Sequence, residues 1–280
     1  MYKIVVSDMD DTFLGHGHTM IPANVEALRR MRELGILFVA SSGRPYGTIM
    51  NDLVKIPAEI LEGSYVISYN GAVINRIGDP APLTGTGLDR ATAERIWAHG
   101  RELGLCMHAY TLEGGWYVAN TTEEESTWLA GFEGVIEHIG PAPETLDFAG
   151  PSPIAKILFE SLDFDYIQQL GAEFGGSLDR SLVDYTYSSR RYVEFVPAGV
   201  NKGTGLVELA RIMGIDLSET VAVGDAANDL EMIRAAGLGV GVANVTPDVA
   251  PYCDVVLETT GYDGAFPELL ERYLEPAAQA

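Results

Sequence analysis

Three carboxylates and a hydroxyl end a short apolar run at the start of the chain: Ile4-Val5-Val6-Ser7-Asp8-Met9-Asp10-Asp11-Thr12. Ligands in open α/β sheets bind just past the carboxyl ends of the strands, which is where Asp8 and Asp10 fall. Two carboxylates so close ionise together readily only with a cation between them. Oxygen-only donors suit a hard ion such as Mg²⁺. A solvated acidic turn is the competing reading of this stretch alone. A second apolar run ends in Ser41-Ser42-Gly43-Arg44-Pro45. A hydroxyl, a glycine and an arginine before a helix opened by proline make a cradle for a phosphate group, though such turns also serve as ordinary caps. Lys202 opens a later helix, where its charge opposes the dipole. That local cost marks the charge as wanted there, the plainer alternative being a snorkelling surface lysine. A further apolar run ends in Gly224-Asp225-Ala226-Ala227-Asn228-Asp229, with more acids and an amide.

Rigid elements must bring these groups together. Residues 4–6 form a strand whose hydrophobicity is continuous rather than alternating, as in a parallel sheet covered on both faces. Pro22 opens a helix with an apolar stripe at Val25, Leu28, Met31 and Leu34, closed by Gly35. Residues 36–40 and 65–68 are further strands, and Asn70-Gly71 signals a hairpin into residues 72–74. Asp79-Pro80-Ala81-Pro82 reads as a linker.

Beyond the linker the pattern becomes α+β. It predicts a helix over 89–103, strands over 105–109 and 116–119, and a helix capped by Thr121 or Thr122. A strand over 154–160, a helix over 163–174 and a closing hairpin over 183–187 and 192–196 follow. Glu123, Glu124 and Glu125 complement a helix dipole, which explains them more simply than a metal patch does. Sparse strands then resume. The Lys202 helix carries Leu206, Leu209, Ala210 and Met213, a buried strand covers 220–223, and Asp229 begins another helix. Strands over 238–242 and 255–257 and a helix over 264–274 complete the chain.

At 280 residues the chain is long for one core and comfortable for two. A net charge of −22 argues against nucleic acid, whose phosphates require clustered cations, and lysine occurs only at Lys3, Lys55, Lys156 and Lys202. An anionic small substrate would need a local positive field from a metal, a few cations and helix N-termini. The acidity otherwise reads as a solvated, repulsive surface. The first apolar run breaks at Asp8, too early for a signal peptide, and no stretch is apolar for long enough to span a bilayer. Cys106 and Cys253 lack metal-site spacing and point to a reducing compartment. The expectation is a cytoplasmic protein with neither a membrane nor a nucleic-acid partner.

Asp8-Met9-Asp10-Asp11-Thr12, Ser42-Gly43-Arg44, Lys202-Gly203 and Gly224-Asp225-Ala226-Ala227-Asn228-Asp229 resemble the four motifs of the haloacid dehalogenase-like superfamily. The Asn70-Gly71-Ala72 turn and the long insertion between the second and third motifs look like its Cof-type phosphatases, subfamily IIB. Two departures are visible: Asp11 where the family often has Gly, and Ser42 where Thr is commoner. The fold implied is α/β, a Rossmann-like parallel-sheet core over residues 1–82 and 192–280 with an inserted α+β cap domain over 83–191.

The resemblance also implies roles. Asp8 is the nucleophile that becomes an aspartyl-phosphate, and Asp10 the acid that protonates the leaving alcohol and then the base for water. Mg²⁺ is held by Asp8, the Asp10 main-chain carbonyl and Asp225, with Asp229 in or near that shell. Ser42, Gly43, Arg44 and Lys202 hold phosphoryl oxygens, and Asn228 steadies the network. The substrate expected is a small phosphorylated metabolite such as a sugar phosphate, with a cofactor phosphate (pyridoxal phosphate or FMN) as the alternative. Transfer to an acceptor other than water uses the same site. A receiver-type signalling domain shares the acids, hydroxyl and lysine but needs neither the insertion nor Asp10. A binding module would not need the full set. The cap is expected to supply specificity, and Lys156, in a strand among Ala155 and Ile157, is either its substrate-facing cation or an outward lysine on an open sheet face.

Overall fold

A computed structural model describes residues 1–130 and 136–279. The chain divides into two compact units, Met1–Leu83 with Asn201–Ala280, and Thr84–Val200. Tyr192–Val200, which the expected boundary gave to the core, thus belongs to the second unit. The reason is its strand, which pairs inside the second unit's sheet.

Five strands precede or enter the insertion: β1 (Ile4–Asp8), β2 (Leu37–Ser41), β3 (Tyr65–Ser68), β4 (Val73–Arg76) and β5 (Pro82–Gly85). Within it lie β6 (Cys106–Thr111), β7 (Trp116–Ala119), β8 (Glu137–His138), β9 (Ile154–Glu160), β10 (Val183–Ser188) and β11 (Tyr192–Pro197). After it come β12 (Thr220–Gly224), β13 (Leu238–Gly241) and β14 (Val255–Val256). β5, at the end of the expected linker, is the one strand of the first sheet that periodicity did not signal. Its exposed and half-buried residues give no apolar run to read.

The first sheet is eight-stranded, in the order β14-β13-β12-β1-β2-β3-β4-β5. β1 is parallel to both β12 and β2, so the strand order reverses beside it. Such a reversal opens a crevice at the strands' carboxyl ends. Register decides what meets there: Asp8 lies opposite Ser41, and Ser7 opposite Val223, next to Gly224. Both faces of the sheet are covered. Val5, Phe38 and Val223 pack with Leu28 of α1 (Pro22–Glu33) and with Phe266, while Ile4, Val6 and Val39 pack on the other side with Leu206 and Leu209. This is why β1 reads as continuously apolar. Short helices α2 (Tyr46–Leu53) and α3 (Ala58–Leu61) complete the segment between β2 and β3.

The second unit is a six-stranded sheet, β10-β11-β9-β6-β7-β8, antiparallel except between β7 and β8. α4 (Arg90–Glu102) buries Ile96 and Trp97 against Met107, Ile157 and Phe195, and Ile167 of α6 (Phe164–Leu170) joins the same core. α5 (Glu123–Leu129) is capped by Thr122, whose hydroxyl accepts from the Glu125 N–H. The acidic triplet occupies its first turn, as dipole complementation requires. No helix among the described residues is long and apolar enough to cross a membrane.

The helix after the insertion, α7 (Lys202–Met213), starts at a capping box in which Asn201 and Thr204 exchange side-chain and backbone hydrogen bonds. α8 (Leu230–Ala235) follows β12. The β3–β4 turn docks on the start of α7, and Gly71 makes the approach possible. Its φ is +104°, and a Cβ there would sit 2.0 Å from the Asn201 carbonyl oxygen. Gly71→Ala is therefore expected to cost about 2–4 kcal/mol, from left-handed strain plus overpacking. Chemical denaturation checks this, and an unchanged midpoint would mean that the turn and the helix start separate freely.

Candidate active site

Lys202 is the centre of the site. The cap at Asn201 fixes it at the first position of α7, and its side chain is fully buried rather than snorkelling. Its Nζ donates to Oδ1 of Asp8 and, at 2.6 Å, to Oδ1 of Asp229. The dipole penalty for a cation there, about 0.3–1 kcal/mol, is small beside the roughly 3–5 kcal/mol that separates a paired from an unpaired buried charge. The carboxylates decide its position. Burial acts to lower the lysine's pKa, but Asp229 and Asp8 more than reverse it and hold the ammonium above its ordinary value.

Asp8 is 7 % exposed at the end of β1. Burial above all pushes its carboxyl well above the usual range; Lys202 opposes the rise, while Asp229 and Asp10 add to it. Lys202 takes Oδ1, which leaves Oδ2 outside that ion pair. Asp225 receives a 2.8 Å hydrogen bond from the buried Thr12 hydroxyl. Burial, with Asp229 and Asp11 adding to it, pushes the Asp225 carboxyl up to about 6.

Asp229 stands with Asp8 and Asp225, where it was expected in or near a metal shell, and its oxygens have further partners. Its Oδ1 faces Lys202, and its Oδ2 accepts from the backbone N–H groups of Asp225 and Ala226 at 3.0 and 3.1 Å. It ties the loop after β12 to the lysine.

Asp10 is held on both oxygens. His18 Nδ1 lies 2.7 Å from Oδ1, and Arg44 Nε lies 3.3 Å from Oδ2. Burial acts to raise this carboxyl, but the His18 hydrogen bond and the charges of Arg44, His18 and Lys202 together lower it. The Asp10 hydrogen bond in turn raises the His18 imidazole. His18 carries no motif signal. It reaches Asp10 from a tight loop closed by a Gly15–Thr19 bridge, with a left-handed φ of +58°. Asp11, at the position where the family pattern often has Gly, also has a left-handed φ, +62°, which an aspartate tolerates better than most residues.

Ser42 is buried, and its Oγ accepts from the Arg44 N–H at 3.2 Å. Gly43 packs against Asn70, whose amide nitrogen would lie 3.1 Å from an added Cβ. Asn228 Nδ2 donates to Asn70 Oδ1 at 3.5 Å, which brings the hairpin turn to the loop that carries Asp225. Arg44 makes its aligned contact with Asp52 rather than with Asp10. His18 and Asp52 are the neighbours that motif reading missed, while Thr12 and Asn70 stand inside the quoted motifs with no role assigned to them. Only Asp52 left a trace in the sequence, as an acid on the apolar face of α2 between Ile49 and Leu53.

Lys156 belongs to β9 of the second unit. It is buried, forms a 2.7 Å ion pair with Glu194 and stands 4.9 Å from the Tyr110 ring centroid. The expectation of a lysine pointing outward from an open face is thus corrected: it shares its sheet face with an acid that neutralises it. Nearby, Glu125 is fully buried among His108, Arg191 and Tyr192.

One carboxylate oxygen from each of Asp8, Asp225 and Asp229 lies within 4.8 Å of the others. These are hard donors, and burial leaves Asp8 and Asp225 short of positive charge despite Lys202. A divalent cation with oxygen preference fits that deficit. Residues 5–269 match the model of the haloacid dehalogenase-like hydrolases. The chain belongs to that family.

Among curated relatives, the putative phosphatase YxeH of Bacillus subtilis is 28 % identical over 255 residues, covering 89 % of this chain and 90 % of its own. An HMP-PP phosphatase of Serratia proteamaculans is 29 % identical over 258 residues, 89 % of this chain and 86 % of that one. Among solved structures, a Thermotoga maritima protein superposes with a TM-score of 0.83 at 23 % identity over 97 % of both chains. The HAD subclass IIB sugar phosphatase BT4131 does so with a TM-score of 0.79 at 20 % identity, over 95 % of this chain and 97 % of that one. At these identities the structural likeness speaks for the shared α/β fold.

Proposed function

We propose that this hydrolase is a Mg²⁺-dependent phosphatase that cleaves a small phosphorylated metabolite through an aspartyl-phosphate on Asp8. The observation that carries the reading is the buried Lys202 bridging Asp8 and Asp229 at the strand-order reversal. A carboxylate fixed through one oxygen by a buried ammonium has its other oxygen aimed and its charge partly neutralised, as attack on a phosphate dianion requires.

Asp8 Oδ2 attacks phosphorus and the bond to the leaving oxygen breaks. Asp10 protonates that oxygen, then accepts a proton from the water that attacks the aspartyl-phosphate, which releases phosphate and restores Asp8. In the resting arrangement His18 and Arg44 keep Asp10 ionised. An incoming phosphate dianion opposes them by like charge and favours the protonated acid. Ser42, Gly43, Arg44 and Lys202 provide donors for phosphoryl oxygens, and Asn228 supports the cradle through Asn70. Asp8, the Asp10 carbonyl and Asp225 would hold Mg²⁺, with Asp229 orienting the loop. When bound, the ion adds positive charge beside the phosphoryl oxygens.

We assign selection of the leaving group to the second unit, as cap, with Lys156 and Glu194 as one charged pair in it. That assignment rests on family resemblance. The named relatives act on HMP-PP and on sugar phosphates, which supports a small metabolite as substrate and favours it over a cofactor phosphate. A phosphometabolite panel in Mg²⁺ with phosphate detection tests the reading; release from none of its members would reject it.

Asp10→Asn is expected to slow hydrolysis of alkyl phosphates by about 10²–10⁴-fold, the usual range for general acid–base assistance. Nitrophenyl phosphate, whose leaving group needs no proton, should lose far less in the first step. Equal losses on both esters would count against the proton-transfer role.

Metal binding should depend on pH in a defined direction. The folded state binds the Asp225 proton more tightly than the unfolded state does, so the metal-free protein loses stability as pH rises from the ordinary aspartate value of 3.8 through about 6. Mg²⁺ requires the carboxylate. Its stabilising effect in thermal unfolding is therefore expected to be small at pH 5 and large at pH 7.5. An effect independent of pH would remove Asp225 from the metal set.

A further inference from the structure

Arg44 is held at three points, and only one of them is in the motifs. Its N–H donates to Ser42 Oγ at 3.2 Å, and its carbonyl accepts from the Tyr69 N–H at 3.2 Å, so the backbone is pinned. Its Nη1 donates to Asp52 Oδ2 at 2.9 Å. The other oxygen of Asp52 takes Lys55 Nζ at 2.9 Å. Asp52 is 5 % exposed on the inner face of α2, a position the helix otherwise gives to Ile49 and Leu53. A carboxylate is expensive to bury at an apolar position unless it is paired, and here its less exposed partner is Arg44, at 17 % against 50 % for Lys55.

The consequence appears on the opposite edge of the guanidinium. Arg44 Nε stands 3.3 Å from Asp10 Oδ2 without an aligned hydrogen bond, and Nη2 is a buried donor with no hydrogen-bond partner among the described residues. A guanidinium free to turn would dock its fork on Asp10 in the bidentate geometry it prefers for carboxylates. Asp52 prevents that by claiming Nη1.

We infer that Asp52 is a positioning residue for the reaction proposed above: it anchors Arg44 at a stand-off from Asp10, which leaves Asp10 Oδ2 able to meet the leaving oxygen and Arg44 Nη2 able to meet a substrate oxygen. The inference rests on the phosphatase reading. It predicts a specific defect when the anchor is weakened. With Asp52 neutralised, Arg44 turns onto Asp10 and occupies the oxygen that delivers the proton, while Asp8, Lys202 and the metal carboxylates are untouched.

The test compares the wild-type chain with Asp52→Asn, nearly isosteric, and with Asp52→Ala. Each is assayed in Mg²⁺ on an alkyl phosphate and on nitrophenyl phosphate. kcat on the alkyl ester should fall about 10- to 30-fold in the Asn variant and further in the Ala variant, a part of the full general-acid contribution. Loss of the Arg44 contact to phosphate should raise KM alike on both esters, while kcat on nitrophenyl phosphate should stay within about 3-fold, which also shows that the variants are folded. Equal losses of kcat on the two esters, or no loss on either, would overturn the inference and leave the phosphatase reading standing. Wild-type protein that hydrolyses neither ester would overturn both.

Discussion

Asp8→Asn is expected to lower kcat by about 10⁴-fold or more, because it removes the attacking oxygen while keeping the shape of the side chain. The fold should survive. The substitution takes one negative charge out of a crowded cluster, and Lys202 keeps Asp229 as its partner at 2.6 Å. Burial disfavours the Asp8 charge in any case, so losing it does not strand a favourable ion. Circular dichroism and the unfolding midpoint should match the wild type, and acid-quenched reactions with labelled substrate should show no phosphoprotein. Substantial turnover, with deamidation excluded by mass spectrometry, would move the nucleophile elsewhere.

Lys202→Met should damage both stability and activity, and by a mechanism that shows in its pH dependence. The variant fills similar space but leaves Asp8 and Asp229 buried with no cation between them. Stranding buried charge costs about 3–5 kcal/mol. The chain can avoid part of that cost by protonating the acids. Asp8, already raised by burial and opposed by Lys202 in the wild type, would be raised further, so stability is greatest at low pH and is lost as pH rises through that raised value. Wild-type Lys202 follows the same sign at alkaline pH: its ammonium is held above the ordinary lysine value, so its contribution is full below that ordinary value and is lost as pH rises beyond it. Denaturant unfolding at pH 5 and pH 8 should therefore show a larger deficit for the variant at pH 8. A uniform deficit would mean that packing, rather than charge, accounts for the loss. Activity should fall by about 10³-fold or more at either pH, since neither the phosphoryl charge nor the Asp8 geometry is supported.

Much of the site was legible in the chain because each chemical group closes a local pattern. Asp8, Ser42 and Asp225 each follow a buried β-branched or apolar run, and a run of that kind ends where the sheet ends. Lys202 could be read from its conflict with the helix dipole, and the conflict turned out to mark a fully buried ammonium. The helix start at Lys202 was equally readable, and of the two candidate caps Thr121 and Thr122 the structure uses Thr122; there and at Asn201 short polar side chains cap the backbone within three residues. The expected separation of an α+β insertion from a parallel-sheet core came from a change in period, and the two sheets carry that difference.

Tertiary structure alone decided how the side chains share one another. Asp229 turns both oxygens to Lys202 and to two backbone amides, and nothing in Gly-Asp-Ala-Ala-Asn-Asp distinguishes that from a free ligand. Arg44 divides its guanidinium between Asp52 and Asp10, and His18 closes on Asp10 from a left-handed turn. Lys156 finds Glu194 across two antiparallel strands. Strand ends and helix caps follow from interactions within a few residues, so a local reading reaches them. Ion pairs between elements depend on register, strand order and the space left by packing, which no local period encodes.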